Sequence, residues 1–393
     1  MHRRILAGAM LCAASAISSS AMAWDDGGHQ IVALIADHYM LPPVREKVRA
    51  MLAADGDTLT GHDIASAATW ADKYRDGDQD TTKIHYNQTY RWHMADISAG
   101  RPNVPKACFG QPRLAAGTLA SQGPAEACVI DKINQFAAEL GDPRLTAAER
   151  VIALKYLLNL VGDVHQPLNV VDESDSHGRG LMVAAKFITP GDLYGYWNNA
   201  FVTRLGMDPA EVAQQIIKDI TPAEQRQWST STPQLWALDA HQIGVDRAFG
   251  MEYTLDAQGN RTLTDAYVDT AVKTVRTQLG KAGVRLAFVL NEALSPSPAV
   301  IKTAPATSGN AVTGKAFADA ACSVCHVVGP AQRTANDGAL APDFQAIANT
   351  RGMNEVALRG FLFGPHPTMP AMKLTPAQAE DLIAYIRSLR TAR

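Results

Sequence analysis

The side chains with the most specific chemistry stand near the end of the chain, in Cys322-Ser-Val-Cys325-His326. Two thiols one helical turn apart can add across the two vinyl groups of a haem, and the adjacent imidazole then reaches the iron. A redox dithiol or half of a zinc site would use the same cysteines, but no second Cys pair accompanies them. A second group of residues is scattered over the first half of the chain. It comprises Trp24-Asp-Asp-Gly-Gly-His29, Ala68-Thr-Trp70-Ala-Asp72, Trp92-His93-Met-Ala-Asp96 and Asn159-Leu-Val-Gly-Asp163-Val-His165-Gln-Pro-Leu-Asn169. Imidazoles and carboxylates of this kind are zinc-ligand types.

The elements that must position these residues read as helices. Ile31, Leu34, Ile35 and His38 recur at helical spacing. Thr146-Ala-Ala-Glu149 predicts a capping box, opening a helix that carries Ile152, Leu154, Leu157, Leu158 and Val161 and stops near Pro167. Residues 210–220 and 268–294 also read as helices. The stretch Leu181 to Ile188 is ambiguous and could be a short hairpin arm. The expected fold class is all-α. Trp70, Trp92 and Trp197 are expected in the core.

With 393 residues and 47% hydrophobic content, the chain can form two or three domains with a sizeable core. Its net charge of −3 argues against phosphate recognition by a broad basic stripe. Any nucleic-acid chemistry would have to use metals to meet the phosphate. His2, Arg3 and Arg4, the apolar run Ile5 to Ile17 and Ala21-Met22-Ala23 predict a signal peptide over 1–23, too short to be a membrane anchor. An exported compartment favours a disulfide between Cys108 and Cys128, against the alternative of two buried thiols. A Pro/Ser/Ala-rich linker over 295–311 separates a helical domain, 24–294, from a smaller one, 312–393.

The C-terminal part resembles the class I cytochrome c family. Phe317 precedes the haem motif at the family's distance, and Pro367-Thr-Met369-Pro370 looks like its distal loop. Cys322, Cys325, His326 and Met369 are then the haem c residues, with Met372 and His366 as competing ligands and Met353 remote. Two protein ligands on the iron leave no position for a substrate, which implies electron transfer with a redox partner protein. Ala384-Tyr385-Ile386 and Leu389 are expected to pack on the first helix of that domain.

The stretch 24–294 resembles the zinc-dependent single-strand nucleases of fungi, plants and bacteria, relatives of zinc phospholipase C. The resemblance implies an all-α fold with clustered zinc ions, bound in part by the amine and carbonyl of a processed N-terminus. Trp24, His29, Asp72, His93 and Asp163 match metal positions, with Asp163 bridging two ions. Asp163 and Asp72 are the residues expected to carry catalysis at that pair. Asp96 matches a base-binding carboxylate, and Met94 stands where an aromatic often stacks. The family has histidine where this chain has Asn159 and Asn169, and His and Asp where it has Tyr194 and Asn198. Its Gly-Gly-Asn appears as Gly178-Arg-Gly180. His165 reads as a histidine behind the ligands or at the helix end, and His85 and His177 read as surface residues, with recruitment of any of the three as a replacement ligand as the alternative.

The resemblance therefore implies one or two zinc ions, fewer than the family's three. The expected protein is a periplasmic or secreted cytochrome fused to a weak or inactive phosphodiester hydrolase, without a transmembrane anchor after signal removal. The alternative is an active metal-dependent endonuclease on single-stranded DNA or RNA.

Overall fold

A computed structural model describes residues 24–115, 117–172, 177–229, 231–295, 309–323, 326–329, 342–350, 353–363 and 374–391. The signal segment, Cys325, Met369, Met372, His366 and most of the linker lie outside the described residues. The principal helices of the first part are α1 (Asp26–Tyr39), α2 (Pro42–Ala53), α3 (Trp70–Asp76), α4 (Ile84–Thr89), α5 (Val129–Leu140), α6 (Ala147–Asp163), α7 (Pro209–Asp219), α8 (Pro222–Trp228), α9 (Pro233–Ile243) and α10 (Asp265–Leu294). Among the described residues, no helix is long and apolar enough to cross a membrane.

The core forms where α1 and α6 meet their neighbours. Helix α1 packs along α10. A Cβ at Gly283 would fall 2.4 Å from Ile35, so the two backbones approach through that glycine. The buried stripe of α1 runs through His29, Ile31, Val32 and Ile35, while His38 is exposed, contrary to the face expected of it. Helix α6 lies against α5, where Phe136 and Tyr156 stack with centroids 4.4 Å apart. Thr146 caps α6 through the Glu149 amide, as its position predicts. The reciprocal half of the capping box is absent, and the Glu149 carboxylate meets Ser121 at 3.4 Å. Cys108 and Cys128 form a disulfide that ties the loop after His93 to the start of α5. Trp70, Trp92 and Trp197 are buried.

A small sheet departs from the all-helical plan without changing the class. Strands β1 (Met182–Ala185) and β2 (Ile188–Asp192) form a hairpin, and β3 (Tyr253–Leu255) and β4 (Arg261–Leu263) form another. Their order is β2-β1-β4-β3, with β1 and β4 parallel.

The second part contains α11 (Ala311–Ala321), α12 (Phe344–Asn349), α13 (Glu355–Phe363) and α14 (Pro376–Ser388) around a core of its own. Helices α11 and α14 cross at Gly314, where a Cβ would collide with the Asp381 carbonyl at 1.9 Å. Tyr385 and Ile386 are buried as expected, and Leu382 and Ile383 share that face. The Tyr385 hydroxyl donates to the Val328 carbonyl at 2.6 Å, tying α14 to the segment after the haem motif.

Candidate metal centre

Four elements converge on one buried cluster. Asp25 caps α1 by accepting from the Gly28 amide at 3.0 Å, which sets His29 in the first turns of the helix. His29 lies against Gly162 of α6, and the Trp24 indole donates to the Gly162 carbonyl at 2.9 Å. Asp72 comes from α3, and Asp163 is the last residue of α6. His93 ends a 3-10 turn, Tyr90–His93. That turn is pinned through Trp92, whose indole donates to the Pro124 carbonyl at 2.9 Å and carries the Lys132 amine 3.7 Å over its ring.

His29 Nε2 stands 3.3 Å from Asp72 and 3.4 Å from Asp163. Ligand-to-ligand edges of a tetrahedral zinc site with bonds of 2.0–2.1 Å are ~3.3 Å. His93 Nδ1 lies 2.7 Å from Asp163 and 3.7 Å from Asp72. Both imidazoles and Asp163 are fully buried. Both ring nitrogens of His29, Nε2 of His93 and Oδ1 of Asp163 nevertheless make no well-aligned hydrogen bond; His29 has only close approaches to Asp72, Asp163 and the Trp24 backbone, and His93 one to Asn159. Such groups cost free energy unless something coordinates them. The donor set therefore fits a divalent ion.

Electrostatics favour ligand-competent imidazoles. Burial lowers the His29 pKa, against the pull of Asp72 and Asp26, and burial holds His93 well below its usual range, helped by Arg75. Both rings are thus neutral with lone pairs available. Burial and then the neighbouring Asp72 push Asp163 well above the carboxylate range, with Arg75 opposing.

Asp72 already has partners. Asn159 donates to it at 2.7 Å and Arg75 at 2.7 Å. Arg75 is buried and also meets Asp76 at 2.7 Å; burial opposes its charge, but the carboxylates of Asp72, Asp76 and Asp163 raise its pKa further. Sequence reasoning missed Arg75, although its place one turn after Asp72 on the same helix was a usable signal.

The remaining positions are arranged differently. The Tyr194 hydroxyl donates to Asn169 Oδ1 at 2.7 Å, and the Asn169 amide donates to the carbonyls of Asp163 and His93 at 3.3 and 3.5 Å. Asn198 is fully buried and its amide has no partner. Two neutral amides and a phenol bonded to one of them do not fit a zinc ion. Asp96 faces His177 at 3.3 Å and Arg91 at 3.4 Å. His177 is buried, not a surface residue: its Nδ1 meets the carbonyls of Leu168 and Val171. Met94 is also buried and offers no stacking surface. His165 turns away from the cluster, bonded to the Val161 carbonyl at 2.7 Å and to Arg285 at 2.7 Å. Half-buried His85 stacks on Tyr74. Among the described residues, Cys108, Cys128 and Asp131 also lie close together, but the two sulfurs are spent on their disulfide.

In the second part, His326 Nδ1 lies 2.7 Å from the Pro342 carbonyl. The Nδ1–H must donate there, so Nε2 keeps its lone pair for a metal. Burial pushes the Cys322 thiol up to about 11. These residues fit a covalent haem.

The S1/P1 nuclease family model matches residues 24–295. The chain belongs to the S1/P1 nuclease family. A cytochrome c family model matches residues 311–390, so this S1/P1 nuclease domain is fused to a cytochrome c domain. Nuclease P1 of Penicillium citrinum is 25% identical over 291 residues, spanning 68% of this chain and 97% of that one. Nuclease S1 of Aspergillus oryzae is 24% identical over 296 residues, spanning 70% of this chain and 93% of its own. Cytochrome c-552 of Bradyrhizobium diazoefficiens is 38% identical over 85 residues, 22% of this chain and 80% of its own. Membership of the S1/P1 nuclease family implies zinc, and the cytochrome c domain implies haem.

Proposed function

We propose that this is an exported electron-transfer cytochrome whose S1/P1 domain is a phosphodiesterase with a reduced zinc set. One asymmetry carries the reading. His29, His93 and Asp163 are metal-ligand types that leave buried atoms without a hydrogen bond, whereas Asn169 and Tyr194 satisfy each other and the unpartnered Asn198 offers only a neutral amide. The first group would hold zinc together with Asp72 and the processed Trp24; the second replaces ligands the family uses for a further ion. Zinc, when bound, supplies Lewis acidity and lowers the proton affinity of water at the site. Asp163 and His93 orient one another, Arg75 holds Asp72 in place, and the buried walls exclude bulk water. Removing charge stabilisation at a leaving oxygen costs several kcal/mol, and each ~1.4 kcal/mol is tenfold in rate. Cleavage of single-stranded DNA or RNA is therefore slow in this protein.

The C-terminal domain passes electrons to a redox partner protein, with Cys322 and Cys325 bonded to haem c and His326 and Met369 on its iron. Export is supported by the leader-like segment 1–23, the Cys108–Cys128 disulfide and the haem motif, which together suit a periplasmic or secreted protein.

The test is elemental analysis of processed, haem-loaded protein, with iron counting chains. One or two zincs per iron are expected, together with slow single-strand cleavage. An extra residue before Trp24 should lower the zinc count. Three zincs per iron, or none, would overturn the reduced-set reading.

A further inference from the structure

The residue that opens the helical domain is anchored from two sides. On one side the Trp24 indole donates to the Gly162 carbonyl at 2.9 Å, and the Trp24 backbone carbonyl approaches the His29 ring. A Cβ at Gly28 would stand 2.7 Å from the Trp24 Cβ, so residue 24 folds back across the first turn of α1. On the other side a wide π turn, Tyr196–Ala200, grips the next residue twice. The Asn198 carbonyl accepts from the Asp25 amide at 3.2 Å, and the Asn199 side-chain amide donates to Asp25 Oδ2 at 2.5 Å. The turn itself is fixed. The buried Trp197 indole donates to the Tyr267 hydroxyl of α10 at 3.0 Å, and that hydroxyl donates to the Ala248 carbonyl at 2.9 Å.

The two oxygens of Asp25 divide the work. Oδ1 caps α1 through the Gly28 amide, and one oxygen is enough for a cap. The bond from Asn199 to Oδ2 crosses 174 residues of chain and adds nothing to the hydrogen-bond ladder of α1. What it fixes is the segment just ahead of the helix, where Trp24 lies against His29. We propose that Asn199 is the positioning residue for the processed N-terminus. Through Asp25 it holds the Trp24 backbone at His29, so that the carbonyl and the freed amine join the donor set of His29, Asp72, His93 and Asp163. The inference rests on reading that cluster as a zinc site with Trp24 among its ligands, and the two can fail separately.

The experiment uses the processed, haem-loaded full chain and takes two readings. Zinc retention is measured by competition with a fluorescent chelator. Exposure of the terminal amine is measured on zinc-free protein as its rate of acylation near neutral pH, where the α-amine reacts ahead of the lysines because its pKa is lower. Asn199 is exposed, so truncating it leaves no core cavity. Asn199→Ala should weaken zinc retention about tenfold or more, in line with the loss of a group that orients a ligand, and speed acylation several-fold. Asn199→Asp keeps the shape without the donor and should lose at least as much. In a chain extended by one alanine before Trp24, N199A should leave zinc retention unchanged, because the amine is already displaced. Equal zinc retention in N199A and the parent would overturn the proposal, as would an equal loss in the extended chain, which would mark a general loss of stability. A processed parent that holds no zinc would sink the metal reading alone. The acylation rate then decides: faster in N199A assigns Asn199 to the terminus, and an unchanged rate removes it.

Discussion

A Cβ at residue 162 would stand 2.9 Å from His29 Nδ1 and 3.5 Å from Trp24 Cδ1. Helix α6 therefore meets the His29 ring through bare backbone, and that contact fixes the ring between Asp72 and Asp163. Gly162→Ala should push the imidazole out of place, cost about 1–3 kcal/mol as an overpacked core position and lower zinc per chain. Thermal unfolding and elemental analysis check both effects. An unchanged zinc count would mean that His29 needs no anchoring by α6.

Asn159 donates to Asp72 and to the Ala68 carbonyl, while its own Oδ1 is buried without a partner. Asn159→His would place an imidazole one turn before Asp163 on the same face of α6. We expect zinc to be retained against a chelator about tenfold or more better than in the parent, in line with the effect of ligand-shell changes. Competition with a fluorescent zinc chelator measures this. Weaker retention would show that the amide is required to hold Asp72.

The His177–Asp96 pair gives a pH dependence. Burial opposes the charge on His177, but Asp96 prevails and raises its pKa; His177 in turn lowers that of Asp96. The His177 contribution to stability is complete below its unfolded value of about 6.5 and is lost as pH rises through the raised folded value. The Asp96 contribution is complete above about 3.9 and is lost as pH falls through the lowered value. The pair therefore stabilises most between about pH 4 and 6.5. His177→Gln should flatten the decline in unfolding midpoint above that window, and a decline of the same slope in H177Q would refute the assignment.

For the haem, Met369→Ala should remove the low-spin sulfur–iron absorption signature while covalent haem remains. Retention of that signature would transfer the sixth position to Met372.

Much of the fold was legible because its signals are local. The Thr146 cap, the apolar face of α6 and the Cys322 to His326 spacing each report on neighbours within a few turns. The site residues at 29, 72, 93 and 163 could be named only through resemblance, because their convergence joins elements up to 134 residues apart (163 − 29). The β3–β4 hairpin was missed although Asp256 to Asn260 carries a turn signal, because its strands have only three residues each. Its parallel pairing with β1 is a non-local contact with no sequence period. His177 looked like a surface histidine because a left-handed turn, which no side-chain pattern announces, is what buries it.

Arg75 has a consequence for the order of assembly. Two acidic side chains near each other in a dry interior repel and would hold a scaffold open until a metal arrived. Here the chain carries its own counter-ion, sealed beneath Asp72 and Asp76 and felt by Asp163. The helices can therefore close around the cluster with no metal present.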